Sequence, residues 1–229
     1  KLAHLPHLLF LDSAETHPDR GRYSYVSADP AGSLLVHHEP AGRDPLGRAK
    51  LRLSEHPRPA VGGLPPFQGG LAGCFGYGYG HALERVPLAR YDEFRAPDIA
   101  AGIYPWVFSY DHTAARAWLV STGYPFPAHE PTHQSERAAE RLRSVLAALR
   151  APRGADAPRS PGGRALPPGE LAPQHPLPGA PGVTSNFSRD GYEAAVRRAV
   201  EYVHAGDCFQ VNLSQRLLAP LHEHPLDLY

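Results

Sequence analysis

The sequence predicts an α+β fold, and three observations support this class. Short apolar and alternating runs, typical of β-strands, occupy the chain up to residue 121. An amphipathic helix pattern follows at 132–150, and a second helix pattern after Ser188 leads into a further alternating run. Strands gathered in one part of the chain, with helices set apart from them, are typical of α+β proteins.

The first part of the chain carries most of the strand patterns. Strands are predicted at 8–11, 23–27 and 33–37, and at 103–110 and 114–121 as the two arms of a hairpin around 111–113. The mostly polar region 38–63 predicts no more than a short helix. The Gly-rich stretch 67–79 suits a strand whose backbone approaches its neighbours closely.

Two helices are predicted from apolar side chains that recur every three or four residues. The helix at 132–150 has a single apolar face, and the later helix has an apolar stripe between Tyr192 and Val203. Ser188 is the expected N-cap of the later helix. Gly206 suits the left-handed position just after its C-terminus.

The segment between the helices is dominated by Pro, Gly, Ala and Arg. Such a composition buries too little apolar surface to offset the entropy lost on ordering, so residues 151–183 are predicted to be a mobile linker. A Pro-rich ligand for a recognition domain is the alternative. The predicted regions are therefore 1–150, the linker 151–183, and the start of a second domain at 184–229.

A strand with two different faces is predicted after the second helix. Phe209, Val211 and Leu213 alternate with Gln210, Asn212 and Ser214. A strand face made of amides and hydroxyls can line a site for a polar ligand. A sheet face in contact with water has the same pattern, so both interpretations stay open.

Composition excludes several functions. With 23 basic and 23 acidic residues, the chain has no charge surplus that would favour nucleic acid or an anionic membrane as a partner. The apolar runs are too short to span a bilayer, and two cysteines fit a reducing compartment, so a cytoplasmic location is expected. The chain has no Met and begins at Lys1, so it is expected to be a piece of a longer protein.

Three familiar motifs are not supported. Gly76, Gly78 and Gly80 never complete a G-x-G-x-x-G loop, and no Gly-Lys-Ser/Thr follows them. The histidines lack partners at a spacing that would close a zinc site. Ser13 follows an apolar strand but has no G-x-S-x-G turn around it, which argues against a serine hydrolase.

Four blocks of sequence carry a resemblance to a known family. They are 21–30, 64–77, 96–106 running on into 110–112, and 205–216. In the residues and the order of these blocks, the chain resembles the chorismate-binding family of anthranilate synthase component I, which also includes aminodeoxychorismate synthase component I.

The resemblance implies a fold of two large antiparallel-rich sheets packed face to face with outer helices. It also implies that the chain is truncated, since family members continue for roughly another domain. That missing part would hold Mg²⁺ and most of the active site. No metal ligand is assigned within this chain, and the chain alone is expected to be inactive.

The resemblance further implies an amino-acid pocket for tryptophan near the start of the chain. The matching residues are Ser13, Arg20, Gly21, Arg22 and Tyr23. A hydroxyl and backbone groups would meet the ammonium and carboxylate of the ligand. Ser13 acting only as the cap of a turn is the alternative. The anthranilate synthase pattern has Glu before this Ser, where Asp12 stands here.

Gln210 bears on the mechanism that the resemblance implies. Related chorismate enzymes that add water have a Lys at this place, as the general base that activates the water. A Gln cannot take up a proton near neutral pH and only orients its neighbours by hydrogen bonds. Ammonia needs no such base. Gln210 is therefore expected to orient the substrate or nucleophile of an amination.

Within the family, the resemblance favours the aminodeoxychorismate synthase branch. That enzyme aminates chorismate at C4 to 4-amino-4-deoxychorismate, with ammonia from a glutamine amidotransferase subunit, on the route to 4-aminobenzoate and folate. The details that favour it are Asn212, the block 66–77 and the block 102–106. Anthranilate synthase, in tryptophan synthesis, is the first alternative. A non-catalytic amino-acid-binding module is the second.

Overall fold

The structure, a computed structural model, describes residues 1–222 except 3, 16, 18–19, 39, 56–58, 89, 126–130 and 152–170. Within these residues the α+β class is confirmed, because all strand pairs are antiparallel and α-helices accompany them. The strands are β1 (Leu9–Leu11), β2 (Tyr23–Ser27), β3 (Ser33–Val36), β4 (Gly70–Phe75), β5 (Ile99–Tyr104), β6 (Trp106–Asp111), β7 (Arg116–Ser121), β8 (His175–Pro176), β9 (Thr184–Ser185) and β10 (Leu217–Leu218). The helices are α1 (Gly47–Glu55), α2 (Gly80–Leu83), α3 (Pro131–Arg150) and α4 (Arg189–Ala205), with a 3₁₀ turn at Tyr77–Tyr79.

The chain divides into two compact units. The first unit consists of residues 1–88 and 96–161, and the second of residues 89–95 and 162–229. The short stretch 89–95 therefore belongs with residues far later in the sequence. No helix among the described residues is both long enough and apolar enough to cross a bilayer.

The first unit contains two antiparallel sheets, with strand orders β1-β2-β6-β7 and β3-β5-β4. The single strand predicted at 103–110 is wrong, since Pro105 divides it into β5 and β6. Proline has no N–H and cannot donate to a ladder, so the pairing changes there. β5 pairs with β3 and β4, whereas β6 pairs with β2 and β7.

Each sheet of the first unit has its own apolar core. Trp106 of β6 and Ala28, which directly follows β2, pack with Val145 of α3 and with Leu2. In the three-stranded sheet, Val36, Ile99 and Ala101 form a second cluster, against which Leu46 and Tyr79 pack. Burial of these side chains fixes which face of each strand points inward. It thereby also fixes the register of β2, the strand that carries the candidate site.

The second unit is built on α4 and a small sheet of order β10-β9-β8. The predicted caps of α4 are confirmed. Ser188 Oγ accepts a hydrogen bond from the Gly191 N–H, and Gly206 lies at φ 81° with its N–H bonded to Val203 and Tyr202 carbonyls. These bonds satisfy backbone groups that a helix end leaves without intrahelical partners.

Part of the predicted linker is ordered. Residues 152–170 lie outside the described residues, but 171–183 lead through β8 into a hairpin with β9, where the Leu177 N–H bonds to the Val183 carbonyl at 2.9 Å. This differs from the mobile segment predicted there, because backbone pairing and not apolar burial orders the hairpin. The partition at 150 and 184 stays a prediction.

The strand predicted at 209–214 is not observed. The chain is irregular from Cys208 to Arg216, and none of the described residues pairs with it as a strand until β10. The alternation of side chains specifies two faces, but a strand also needs a neighbouring backbone to complete its ladder.

Candidate functional site

The central position of β2 brings three polar side chains together in the first unit. Ser24 lies on β2, Asp12 follows β1 on one side, and His112 follows β6 on the other. Ser24 Oγ lies 2.6 Å from Asp12 Oδ1 and 2.7 Å from His112 Nε2. Antiparallel pairing thus builds a carboxylate–hydroxyl–imidazole chain from residues that are far apart in the sequence.

Hydrogen-bond bookkeeping assigns the protons of this cluster. Ser24 has a single hydroxyl hydrogen, which it donates to Asp12. His112 must then donate from Nε2 to Ser24, which fixes a proton on that nitrogen. Ser24 also accepts the backbone N–H of Ser13 at 3.0 Å, so its two lone pairs are both used.

Ser13 contacts the same cluster through its backbone N–H, whereas its side chain contacts the backbone of β2. Its hydroxyl donates to the Tyr23 carbonyl at 2.7 Å. This bond has the geometry of a turn-capping serine, the alternative to a binding role. Because the hydrogen is committed to Tyr23, Ser13 Oγ can interact with a ligand only as an acceptor, which suits an ammonium group.

Arg22 forms a bidentate pair with Asp111. Arg22 Nε lies 3.0 Å and Nη2 2.7 Å from Asp111 Oδ2, and Asp111 Oδ1 also accepts the backbone N–H groups of Thr113 and Ala114. The hydrogen bond from Arg22, aided by the two backbone donors, lowers the pKa of Asp111 to about 2 despite its burial. Asp111 therefore holds both the arginine and the β6–β7 turn.

The other predicted pocket residues flank this pair. Gly21 has φ 71°, and a Cβ there would collide with the Glu15 carbonyl, so the tight turn requires glycine. The Tyr23 ring lies 5.0 Å from the Arg22 guanidinium carbon. Arg20 is exposed and donates its backbone N–H to His17. The structure therefore gathers Ser13, Gly21, Arg22 and Tyr23 around one turn, with Arg20 at its edge.

Gln210 lies in the second unit on the irregular segment after α4. Its side chain is exposed and makes one long contact, 3.5 Å from Nε2 to Asn212 Oδ1. The two amide groups therefore lie within reach of each other on this irregular segment. Their roles as orienting groups stay a prediction.

Sequence reasoning missed Ser24 and His112 as site residues, and it missed a buried carboxylate in the second unit. Ser24 stands two positions from Arg22 on a strand, so the period of two was a signal that both side chains share a face. Glu93 gave no such signal. It accepts the Ala172 N–H at 3.1 Å and pairs with Arg216, both remote in sequence.

The described residues offer no ready metal site. No group of three or more His, Cys, Asp or Glu side chains among them is arranged to hold a metal ion. The side chains gathered here therefore do not fit Mg²⁺, and no chemical step is assigned to that ion on them.

Comparison with known proteins identifies the family. The model of the chorismate binding enzyme family matches residues 7–229, nearly the whole chain. The chain therefore belongs to the chorismate-binding enzymes, as the four sequence blocks predict.

Curated relatives carry two names. Anthranilate synthase component 1 of Streptomyces coelicolor is 36% identical over 96% of this chain and 39% of its own length. Aminodeoxychorismate synthase component 1 of Escherichia coli is 29% identical over 96% of this chain and 44% of its own length. The chain thus spans less than half the length of these relatives.

A solved structure agrees with the fold. The crystal structure of anthranilate synthase component I from Streptococcus pneumoniae matches with a TM-score of 0.63 at 22% identity, over 93% of this chain and 45% of that one. At this identity the match supports the fold alone.

Proposed function

We propose that the protein containing this chain is component I of an aminodeoxychorismate synthase, which transfers ammonia to C4 of chorismate. The observation that carries the proposal is the amide pair Gln210 and Asn212, which lie within reach of each other on the segment that follows the capped end of α4. An amide donates and accepts hydrogen bonds but takes up no proton. It therefore suits ammonia, a nucleophile that attacks without the help of a general base.

Two further blocks favour amination at C4 over the anthranilate reaction. They are 66–77, which includes β4, and 102–106, which includes the Pro105 junction between the sheets. Relatives of both names match the chain, at 36% for an anthranilate synthase and 29% for an aminodeoxychorismate synthase. The choice between the two reactions therefore rests on these local residues and not on overall identity.

The proposal includes a partner and an ion. The relatives are each named component 1 of a synthase, which supports a component II partner, and we infer a glutamine amidotransferase that supplies ammonia. Mg²⁺ would be bound outside the described residues and would neutralise the carboxylate of chorismate. A cytoplasmic location follows from the pathway proposed.

We also propose that the turn around Ser13 and Arg22 binds the amino-acid backbone of tryptophan. Ser13 Oγ is available as an acceptor for the ammonium. Arg22 uses Nε and Nη2 on Asp111, which leaves the hydrogens of Nη1 for a carboxylate. Calorimetry with tryptophan and the Ser13→Ala variant tests this. A protein that binds tryptophan but does not aminate chorismate would instead be a non-catalytic binding module.

Product analysis of the complete protein tests the reaction. With chorismate, ammonium and Mg²⁺ we expect 4-amino-4-deoxychorismate, identified by mass and NMR, without release of pyruvate. Anthranilate together with stoichiometric pyruvate would place the protein in the other branch and overturn the proposal.

Substitution of Gln210 tests the role of the amide. Gln210→Lys should lower amination and give some hydroxylated product when ammonium is omitted, because a lysine base there would activate water. Val211→Lys is the matched control, because it adds the same charge at the neighbouring position, next to side chains of α4. Wild-type amination by both Gln210→Lys and Gln210→Ala would place residue 210 outside the site.

A further inference from the structure

A second concave site lies in the first unit and shares no residue with the Asp12–Ser24–His112 cluster. It has a volume of about 610 Å³, within the range of about 300–1,000 Å³ typical of small-molecule pockets. Its lining combines buried residues at the end of β5 and half-buried residues at the end of β7 with exposed residues of the loop 59–61.

Two side-chain amides hold the edges of this cavity. Gln68 forms a two-point bridge with the backbone of Val61, since its Oε1 accepts the Val61 N–H and its Nε2 donates to the Val61 carbonyl, each at 2.9 Å. Gln134 of α3 donates to the Thr122 carbonyl at 3.0 Å. These bonds fix the loop and the helix from opposite parts of the sequence, so the cavity is formed before any ligand arrives.

The chemistry of the lining is specific. Among the described residues that line the cavity, none carries a charge, and the aromatic side chains of Tyr104 and Tyr124 are both buried in its wall. Gln134 Oε1 accepts no hydrogen bond from the described part of the chain, and Ser121 Oγ is shielded from solvent without a partner. A charged ligand would lose its hydration without compensation, whereas an uncharged one with an amide or hydroxyl group would meet both apolar and polar groups.

We propose that this cavity is a binding site for an uncharged, planar aromatic molecule that carries an amide or hydroxyl group. The body of the ligand lies against apolar and aromatic side chains, and its polar group bonds to Gln134. The site does not depend on the amination reaction proposed above.

Three probes of equal shape test the selectivity on the complete protein. They are 2-naphthamide, 2-naphthoate and 2-naphthylmethylammonium, with binding measured by calorimetry. We expect 2-naphthamide to bind at least about tenfold more tightly than either ion, since the lining offers no counter-charge. Equal affinities of the three, or no saturable binding of 2-naphthamide below millimolar concentration, would overturn the proposal.

Two variants locate the binding. Ala60→Trp fills the mouth of the cavity and should weaken 2-naphthamide at least about tenfold. Gln134→Glu puts a carboxylate on the wall and should shift the preference to 2-naphthylmethylammonium. Ala139→Glu is the control, because it adds the same charge at an exposed position of the same helix that does not line the cavity. If Ala60→Trp lowers the melting temperature, its weaker binding could come from misfolding. The comparison of Gln134→Glu with Ala139→Glu then decides whether the probe binds in the cavity. Identical probe preferences in both would refute the site.

Discussion

Among the described residues, each unit contains one arginine–carboxylate pair with a buried carboxylate, and the two pairs are nearly identical in exposure. Arg22 is 44% exposed and Asp111 1%, whereas Arg216 is 40% exposed and Glu93 1%. They differ in what else the buried carboxylate holds. Asp111 binds backbone N–H groups two and three residues away, whereas Glu93 binds a backbone N–H 79 residues away.

The same chemistry therefore serves two purposes. Asp111 stabilises a local turn between two strands that also pair with each other, β6 and β7. Glu93 links residues 90–95 to Ala172 and Arg216 in the second unit, where few of the described apolar residues are buried. Burial raises the pKa of Glu93, but its own backbone N–H, Arg216 and the Ala172 N–H outweigh that effect and lower it. The stability of the second unit should depend more strongly on its pair.

The largest effect is expected from Arg216→Ala. It leaves the Glu93 carboxylate buried without its cation and should lower the free energy of unfolding by about 3 kcal/mol, the low end of the range because Arg216 is partly exposed. Urea unfolding measures this. Arg197→Ala is the control, since that exposed arginine lies 3.9 Å from Glu193 and should matter little.

A double variant separates the buried charge from the lost packing. Glu93→Gln combined with Arg216→Ala should be more stable than Arg216→Ala alone, because no charge is then left unpaired. Equal stability of the two variants would mean that Glu93 is not the reason for the loss.

The next largest loss of stability is expected in the turn that precedes Arg22 and positions it beside Asp111. Gly21→Ala should destabilise the first unit by about 2 kcal/mol, because φ 71° is unfavourable for alanine and its Cβ meets the Glu15 carbonyl. Gly42→Ala is the matched control, because Gly42 also has a positive φ, 89°, but a Cβ on it would meet no heavy atom within 4 Å. Equal melting temperatures of the two variants would show that the collision costs nothing.

Acid unfolding tests the Arg22–Asp111 pair. The pKa of Asp111 is about 2 in the folded protein against a usual 3.8, so the folded state binds this proton less readily than the unfolded chain. The stability it contributes is complete above about pH 4 and is lost as pH falls through about 2. Asp111→Asn should therefore flatten the pH dependence of stability between about pH 4 and 2. An unchanged slope would contradict the depressed pKa.

The smallest effect is expected from shortening the segment predicted to be a linker. Deleting residues 155–168 should change stability by less than about 0.5 kcal/mol, because loop closure depends only weakly on length. Deleting 171–183 instead removes the Ala172 N–H from Glu93 and the β8–β9 hairpin, and should destabilise the second unit. Similar losses in both deletions would mean that the first segment also packs.

Local pattern was enough to predict some elements and not others. The limits of β2 and the caps of α4 follow from neighbouring residues, whereas Arg22 was singled out only through the family resemblance. Its partner Asp111 and the pair Glu93–Arg216 depend on contacts 89 and 123 residues apart, for which a single sequence has no periodic signal. The run 209–214 was predicted as a strand because its alternation is independent of whether a neighbour exists.

Pro105 is the only residue between β5 and β6, and these two strands belong to different sheets of the first unit. If β5 shifted by two residues against its partners, β6 would therefore have to shift by the same distance against its own. Six paired positions would be lost between β4 and β5, and six between β6 and β7. Neither sheet can therefore change register or open alone. Under mechanical load or local unfolding the two ladders respond together, and amide hydrogens of β5 and β6 are expected to exchange with a common rate.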